Sequence, residues 1–266
     1  MPLADHLREL RNRLAKALLA VVVVAAAAGF GYTGIIDLVT APILGAVGCD
    51  PGLAEAVRDP DVPCARIVMN GLLIPFTLAL KVSLVAGVVL ASPVWLYQLW
   101  AFIAPGLHRQ EKKYALLFAG AGFPLFATGA YVAYRTLPTM ARVLLDFTPA
   151  DVDNQLPLDS LLDLITRMAV VFGLAFELPL LLVMLNLTGM VSGRRMLTWW
   201  RHMFVGITLF AAIATPSTDP LSMLALAVPV WMLYLAATAV SLLLDRRRAE
   251  APAGPGDDEA SVLDPA

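Results

Sequence analysis

Long apolar runs dominate the pattern of hydrophobic and polar positions along this chain. A helix rises about 1.5 Å per residue and the hydrocarbon core of a bilayer is about 30 Å thick, so roughly 20 apolar residues form a spanning helix. The sequence therefore predicts an all-α integral membrane protein. Its six predicted transmembrane helices are residues 14–36, 71–99, 114–137, 158–187, 199–214 and 220–244.

Prolines and the short fifth span modify this picture. Prolines 93, 124, 179 and 229 fall inside four of the six spans and predict kinked helices that form a concave bundle. The fifth span, 199–214, reaches only about 24 Å, which favours either a locally thinned bilayer or basic side chains that snorkel outward. The turn-like stretch TPSTDP follows it, so spans five and six are predicted to form a tight hairpin.

Composition supports the membrane assignment. Of the 266 residues, 59% are hydrophobic and only 15% are charged. The mean hydropathy of +0.75 lies far above that of an ordinary soluble domain. A formal net charge of −2 excludes a globally basic protein that binds nucleic acid.

Basic residues collect in alternate connecting segments and thereby predict the topology. Loops 37–69 and 138–156, on the opposite side, are mainly acidic. By the positive-inside rule, both termini are cytoplasmic. The basic residues are Arg8, Arg11, Arg13, Lys16, Arg109, Lys112, Lys113, Arg194, Arg195, Arg201, Arg246, Arg247 and Arg248.

The two ends of the chain differ in character. Residues 1–28 have the basic start and small-residue run of a cleaved signal peptide, but the apolar stretch continues to residue 36 and the acids Asp5 and Glu9 are unusual in a leader. We interpret this segment as an uncleaved first span. Residues 1–244 are then one membrane domain, and residues 245–266, rich in Pro, Gly and acids, are predicted to be a disordered cytoplasmic tail.

Both cysteines, Cys49 and Cys64, fall in the first external loop. They are either two unbonded small residues or a disulfide, and the oxidising outer compartment favours the disulfide.

Common catalytic motifs are absent from the sequence. We find no phosphate-binding glycine loop, HExxH, GxSxG or paired CxxC, and the three histidines His6, His108 and His202 lack metal-ligand spacing. The sequence therefore predicts no enzymatic activity, no cofactor and no metal site.

A few polar residues lie inside the predicted spans. Glu177 is costly near the middle of a membrane, so it is either a site for charge handling or partner contact, or a protonated glutamate bonded to a neighbouring helix. Pro179 predicts a kink beside it. Lys81 is expected to reach the interface along its stem, and Asp163 and Arg167, four residues apart, to pair on one helix face.

Five motifs stand in order along the chain: HLRELRNRL at 6–14, TAPIL at 40–44, SPVWLYQLWAFIAPGLHRQE at 92–111, FELP at 176–179 and TPSTDPLS at 215–222. Together they resemble the TatC family, the multispanning subunit of the twin-arginine protein translocase. The resemblance covers residues 3–244, and Leu235 departs from it, because the family usually has an acid after the preceding tyrosine.

The resemblance implies a site for twin-arginine signal peptides on the cytoplasmic face, carried by Glu9 and Glu111, with Asp5 a weaker third carboxylate. The chemistry agrees, because a planar guanidinium matches a carboxylate bidentately and a basic face would otherwise repel a dibasic peptide. The alternative for Glu9 is a surface salt bridge to Arg13, four residues on. The family pattern also assigns structural roles to Pro42 in the first external loop, to Pro105, and to Asp219 in the last external turn, and a partner-contact or structural role to Glu177.

The implied function is a membrane receptor and core component of the twin-arginine translocase. It would bind signal peptides of folded cargo and export that cargo with single-span TatA/TatB-type subunits, using the proton-motive force. The implied location is a bacterial-type cell membrane, as a homo-oligomer embedded in lipid, with no nucleic-acid partner. The alternative is a proton-coupled secondary transporter of a small solute that uses Glu177 as a relay.

Overall fold

The computed structural model describes residues 3–47, 65–103, 111–147, 154–215 and 220–250. Helices form nearly all of these segments. In chain order the elements are α1 (Leu3–Gly29), α2 (Tyr32–Val47), β1 (Ala65–Val68), α3 (Ile74–Leu90), α4 (Ser92–Ile103), α5 (Glu111–Asp146), β2 (Asn154–Pro157), α6 (Leu158–Ala175), α7 (Leu178–Leu187), α8 (Gly193–Thr198), α9 (Trp200–Ala214) and α10 (Pro220–Glu250).

Three helical stretches in the described part of the chain are long and apolar enough to cross a membrane: Leu7–Gly29, Leu158–Leu187 and Pro220–Arg248. A fourth is available if α3 and α4, which bend by 55° at their junction, form one span. α5 contains 36 residues, about 54 Å of helix, which exceeds the thickness of the bilayer core. α9 has only 15 residues, as the short fifth span predicted. Six spans therefore stay a prediction.

The first predicted span is divided. α1 ends at Gly29, a turn follows at Phe30 and Gly31, and α2 then begins. Gly29 and Gly31 lie at this turn, and each glycine weakens a helix by about 1 kcal/mol relative to alanine. Pro42, predicted to lie in the first external loop, is inside α2, so this part of the chain is helical.

Contacts with α5 hold α2 as a helix. The Tyr134 hydroxyl donates to the Leu38 carbonyl oxygen at 3.0 Å, and Arg142 Nε donates to the Ala46 carbonyl oxygen at 3.3 Å. Ile43 is buried in the main apolar core. Tertiary packing thus makes a helix of a segment that its acids and proline indicated to be a loop.

Two short strands correct the all-α prediction. β1 and β2 pair in parallel, with Ala65 opposite Asn154 and Val68 opposite Pro157. They belong to the two predicted external loops, so the pair ties together segments nearly 90 residues apart and satisfies their backbone groups. Four-residue strands carry too little alternation for their sequence to reveal them.

The main core lies where α5 and α6 pack together. Leu162, Met168 and Phe172 on α6 are fully buried there. A Cβ atom at Gly129 of α5 would lie 2.5 Å from the Phe172 carbonyl oxygen, so glycine permits backbone contact between the two helices. This close approach fixes the distance between α5 and α6.

An ion-pair triad joins α3 to α6. Asp163 accepts from Arg167 Nη2 at 3.3 Å, which confirms the predicted pair on one helix face. Lys81 does not simply extend toward an interface, because its Nζ lies 2.6 Å from the other carboxylate oxygen of Asp163. One carboxylate thus binds two cations from two helices.

A second polar cluster joins the connection between α7 and α8 to the end of α10. Asp245 accepts from Asn186 Nδ2 at 2.8 Å and from the Gly193 amide at 2.7 Å. Arg248 donates to the carbonyl oxygens of Asn186 and Leu187, at 3.1 and 2.8 Å. α10 therefore continues to Glu250, past the predicted boundary at 244, while residues 251–266 lie outside the described residues.

Replacing Gly129 by alanine tests the contact between α5 and α6. Since the new methyl group would overlap the Phe172 carbonyl, Gly129→Ala should destabilise the protein by about 1–3 kcal/mol. Thermal unfolding in detergent measures the change. Gly120→Ala on the same helix is the control, because nothing lies within 4 Å of its Cβ position and alanine should be neutral or mildly stabilising. Equal melting temperatures for the two variants would contradict this packing.

Replacing Asp245 tests the second polar cluster. Asp245→Ala leaves the Gly193 amide without its acceptor, at a cost of about 1–3 kcal/mol, so exchange of that amide should accelerate roughly 10- to 100-fold. Hydrogen exchange with mass spectrometry on peptides covering 186–197 measures it. Glu250→Ala, an exposed acid on the same helix, should change nothing there. Unaltered exchange in Asp245→Ala would show that the bond contributes little.

Candidate functional site

Glu9 lies on α1 and forms an ion pair with Arg13 one turn later. Glu9 Oε1 accepts from Arg13 Nε at 3.0 Å and from Arg13 Nη2 at 2.6 Å. The salt bridge that stood as the alternative for Glu9 is therefore present. The carboxylate is still reachable, since 32% of its side chain is exposed.

A cleft of about 530 Å³ surrounds this ion pair, between α1 and the α4 residues Tyr97 and Gln98. Among the described side chains that line the cleft, basic groups outnumber acidic ones by three to one, and the one carboxylate is already paired with Arg13. Apart from those two α4 residues, it is lined by Arg8, Glu9, Asn12, Arg13 and Lys16.

Glu111 is the first residue of α5. Its side chain is not among those that the structure describes, and the segment 104–110 between α4 and α5 lies outside the described residues. The structure therefore places Glu9 next to α4. Glu111 follows α4 in the chain, after residues 104–110.

The other predicted site residues lie mostly outside the described part of the chain. Asp5 is in α1, but its side chain is not described. Residues outside the described ranges are Cys49, Cys64, Pro105 and Asp219. The disulfide and the roles of Asp5, Pro105 and Asp219 therefore stay predictions.

Glu177 occupies the interruption between α6 and α7. α6 ends at Ala175 and α7 begins at Leu178 with Pro179 in its first turn, so the predicted break beside Glu177 is confirmed. The side chain is buried, with 5% of its surface exposed. Neither carboxylate oxygen accepts a hydrogen bond of ordinary length and angle among the described residues, but the Trp100 indole N–H of the neighbouring helix α4 faces the carboxylate and interacts with it.

Trp100 and Gly122 complete the surroundings of Glu177, and sequence analysis did not single out either. The Trp100 Nε1 and Glu177 Oε2 atoms each lie 3.1 Å from the Cβ position of Gly122. Trp100 Nε1 has no other partner among the described residues, although a buried indole N–H usually has a well-formed one. The space left by the missing side chain at Gly122 of α5 therefore lies beside a donor from α4 and the carboxylate at the break between α6 and α7.

Metal ligation finds no support in the described part of the chain. No group of three or more His, Cys, Asp or Glu residues there could hold a metal ion.

Known proteins similar to this chain share one name. The family model for Sec-independent protein translocase protein (TatC) matches residues 5–229. A protein of that name from Frankia casuarinae is 43% identical over 99% of this chain and 73% of its own length. One from Deinococcus radiodurans is 37% identical over 88% of this chain and 83% of its own length. A chloroplastic relative from Oryza sativa subsp. japonica is 32% identical, over 88% and 61%.

The solved structures agree with the sequence relatives. A crystal structure described as the twin arginine translocase receptor TatC in DDM superposes with a TM-score of 0.74 at 28% identity, covering 89% of this chain and 99% of that chain. The match to the family model, the identity to these relatives and the shared fold lead to one conclusion: this chain belongs to the TatC family of Sec-independent protein translocase proteins.

Proposed function

We propose that this protein is the signal-peptide receptor and core component of a twin-arginine translocase. The observation that carries the proposal is a partly exposed carboxylate, Glu9, held in a cleft between α1 and α4 within a TatC fold. A solved relative is itself described as a twin arginine translocase receptor. The substrate is the arginine pair of a signal peptide, and no covalent chemistry is involved.

Recognition would occur by exchange of ion-pair partners. A peptide guanidinium can replace Arg13 on Glu9 because both present the same planar pair of donors. The peptide gains about as many charged hydrogen bonds to Glu9 as Arg13 loses, so Glu9 by itself adds little to the affinity. Its contribution is specificity for a planar guanidinium. We assign the second peptide arginine to Glu111, at the start of α5, with Asp5 as an additional acid.

The proposal includes six spans, with both termini cytoplasmic, in a bacterial-type cell membrane. The triplet Arg246, Arg247 and Arg248 at the end of α10 supports this orientation through the positive-inside rule. Single-span TatA/TatB-type subunits, further copies of this chain and the proton-motive force complete the proposed export of folded cargo.

Glu177 supports a partner contact within the membrane. A buried carboxylate without a hydrogen bond of ordinary geometry in the described residues offers an acceptor to a polar side chain on an incoming helix. The alternative function, a proton-coupled transporter of small solutes, would use this same residue as a relay. Family membership favours the translocase.

Peptide binding tests the proposed receptor site. We expect Glu9→Gln combined with Glu111→Gln to weaken binding of a twin-arginine peptide roughly tenfold or more, because a hydrogen bond between charged groups contributes about 1.5–3 kcal/mol. The measurement is photo-crosslinking in membranes from a reactive residue at Asn12, which lines the cleft, to this peptide and to its Lys-Lys variant. In the wild-type protein, crosslinking to the Lys-Lys peptide should be weaker than crosslinking to the twin-arginine peptide.

Two further variants make this test specific. Glu250→Gln removes an exposed acid from α10 and should leave crosslinking unchanged. Arg13→Gln frees Glu9 of its competitor and should strengthen binding. The receptor site is misassigned if the correctly inserted Glu9→Gln, Glu111→Gln variant binds like the wild type.

Glu177→Gln separates the two candidate functions. Glutamine keeps the shape without an ionisable group, so we expect unchanged folding and unchanged peptide crosslinking, but weaker crosslinking to a single-span subunit. The measurement pairs crosslinking with thermal unfolding in detergent. If the protein were a transporter, Glu177→Gln would lose proton-coupled solute uptake in vesicles. The wild-type protein would then bind no signal peptide.

A further inference from the structure

An apolar groove of about 370 Å³ runs along α1 directly beneath the Glu9 cleft. Its α1 wall is one helix face with residues three or four apart, and Trp95, Phe126 and Leu174 contribute from α4, α5 and α6. Arg13 and Gln98 line both the groove and the cleft, so the two spaces are adjacent. The α1 residues are Leu10, Arg13, Leu14, Ala17, Leu18 and Val21.

Backbone contact between α1 and α3 closes the deep end of the groove. A Cβ atom at Gly87 would lie 2.6 Å from the Ala25 Cβ atom and 2.8 Å from the Val21 carbonyl oxygen, so the two helices touch there. Trp95 Nε1 donates to the Val88 carbonyl oxygen at 2.8 Å, which leaves its ring carbons for the groove. The groove is therefore apolar where α1 meets α3, and Arg13 and Gln98 lie where it adjoins the cationic cleft.

Among the described side chains, the mouth of the groove carries a net positive charge. Arg8, Arg13 and Lys16 lie around it, and the one carboxylate among these side chains, Glu9, already binds Arg13. A group that fits this end is an anion. A group that fits the groove is a flexible hydrocarbon.

We propose that the groove and its mouth bind one anionic phospholipid, with an acyl chain along α1 and the phosphate on Arg8, Arg13 and Lys16. The proposal goes beyond signal-peptide recognition and needs no cargo. It fits the position of α1, whose apolar window has none of its residues buried inside the protein and so has room for a lipid chain.

A lipid suits this space better than the apolar segment of a signal peptide. A peptide in the groove would bring polar backbone groups against a wall that offers almost no hydrogen-bond partners, whereas an acyl chain has none to satisfy. The three cations at the mouth favour a phosphate there.

Native mass spectrometry of the full-length protein in detergent tests the proposal. The protein is offered phosphatidylglycerol and phosphatidylcholine of identical acyl chains, and we expect one phosphatidylglycerol retained in preference. Arg8→Gln combined with Lys16→Gln should reduce this preference roughly 25-fold, because each basic residue near an anionic headgroup adds about fivefold. Arg11→Gln combined with Arg194→Gln, at exposed positions outside both linings, should preserve it.

A second pair of variants tests the groove itself. Ala17→Phe places a ring inside the groove and should abolish retention, whereas Ala15→Phe adds the same ring on the exposed side of α1 and should not. The proposal is overturned if both lipids are retained equally, if the two alanine variants behave alike, or if a signal peptide crosslinks to Trp95 while no lipid is retained. Because no signal peptide is present in the lipid assay, its failure is distinguishable from failure of the receptor function.

Discussion

The structure depends on satisfying polar groups inside an apolar bundle, where water is absent and each unpaired group is costly. Several of the partners come from a different helix. Lys81 on α3 binds Asp163 on α6, the Tyr234 hydroxyl of α10 donates to the Met196 carbonyl oxygen of α8 at 2.6 Å, and Asp245 accepts the Gly193 amide. Each bond fixes the position of one helix along the axis of its neighbour, which nonspecific apolar packing does not do.

Glu177 is informative because it departs from this rule. The helix is interrupted at the residue, the carboxylate is buried, and the Trp100 indole N–H that faces it makes no hydrogen bond of ordinary geometry among the described residues. The arrangement combines Trp100 of α4, Gly122 of α5 and the break between α6 and α7. A buried carboxylate with so little hydrogen bonding can accept from a further donor, which is the physical reason for proposing that Glu177 contacts a partner helix.

Sequence reasoning predicted features that depend on neighbours along the chain and missed those that depend on folding. Length and hydropathy located the long helices, Pro179 located the break at Glu177, and four-residue spacing identified the pair of Asp163 with Arg167. Spacing gives no information about Lys81, which is 82 residues from Asp163 yet bonds to it. The helix around Pro42 and the β1–β2 pair were missed for the same reason, because contacts with distant segments stabilise them.

Arg13 links the two proposed binding sites. Its guanidinium now donates to Glu9, and it also lines both the apolar groove and the cationic cleft. A phosphate that takes donors from Arg13 weakens the hold of Arg13 on Glu9 and reduces the positive charge that a dibasic peptide must approach. Both effects favour peptide binding, so the lipid and the peptide are expected to bind with positive coupling, and thermodynamic linkage requires the peptide to strengthen lipid binding by the same factor. A receptor built this way would recognise its cargo best in a membrane rich in anionic lipid.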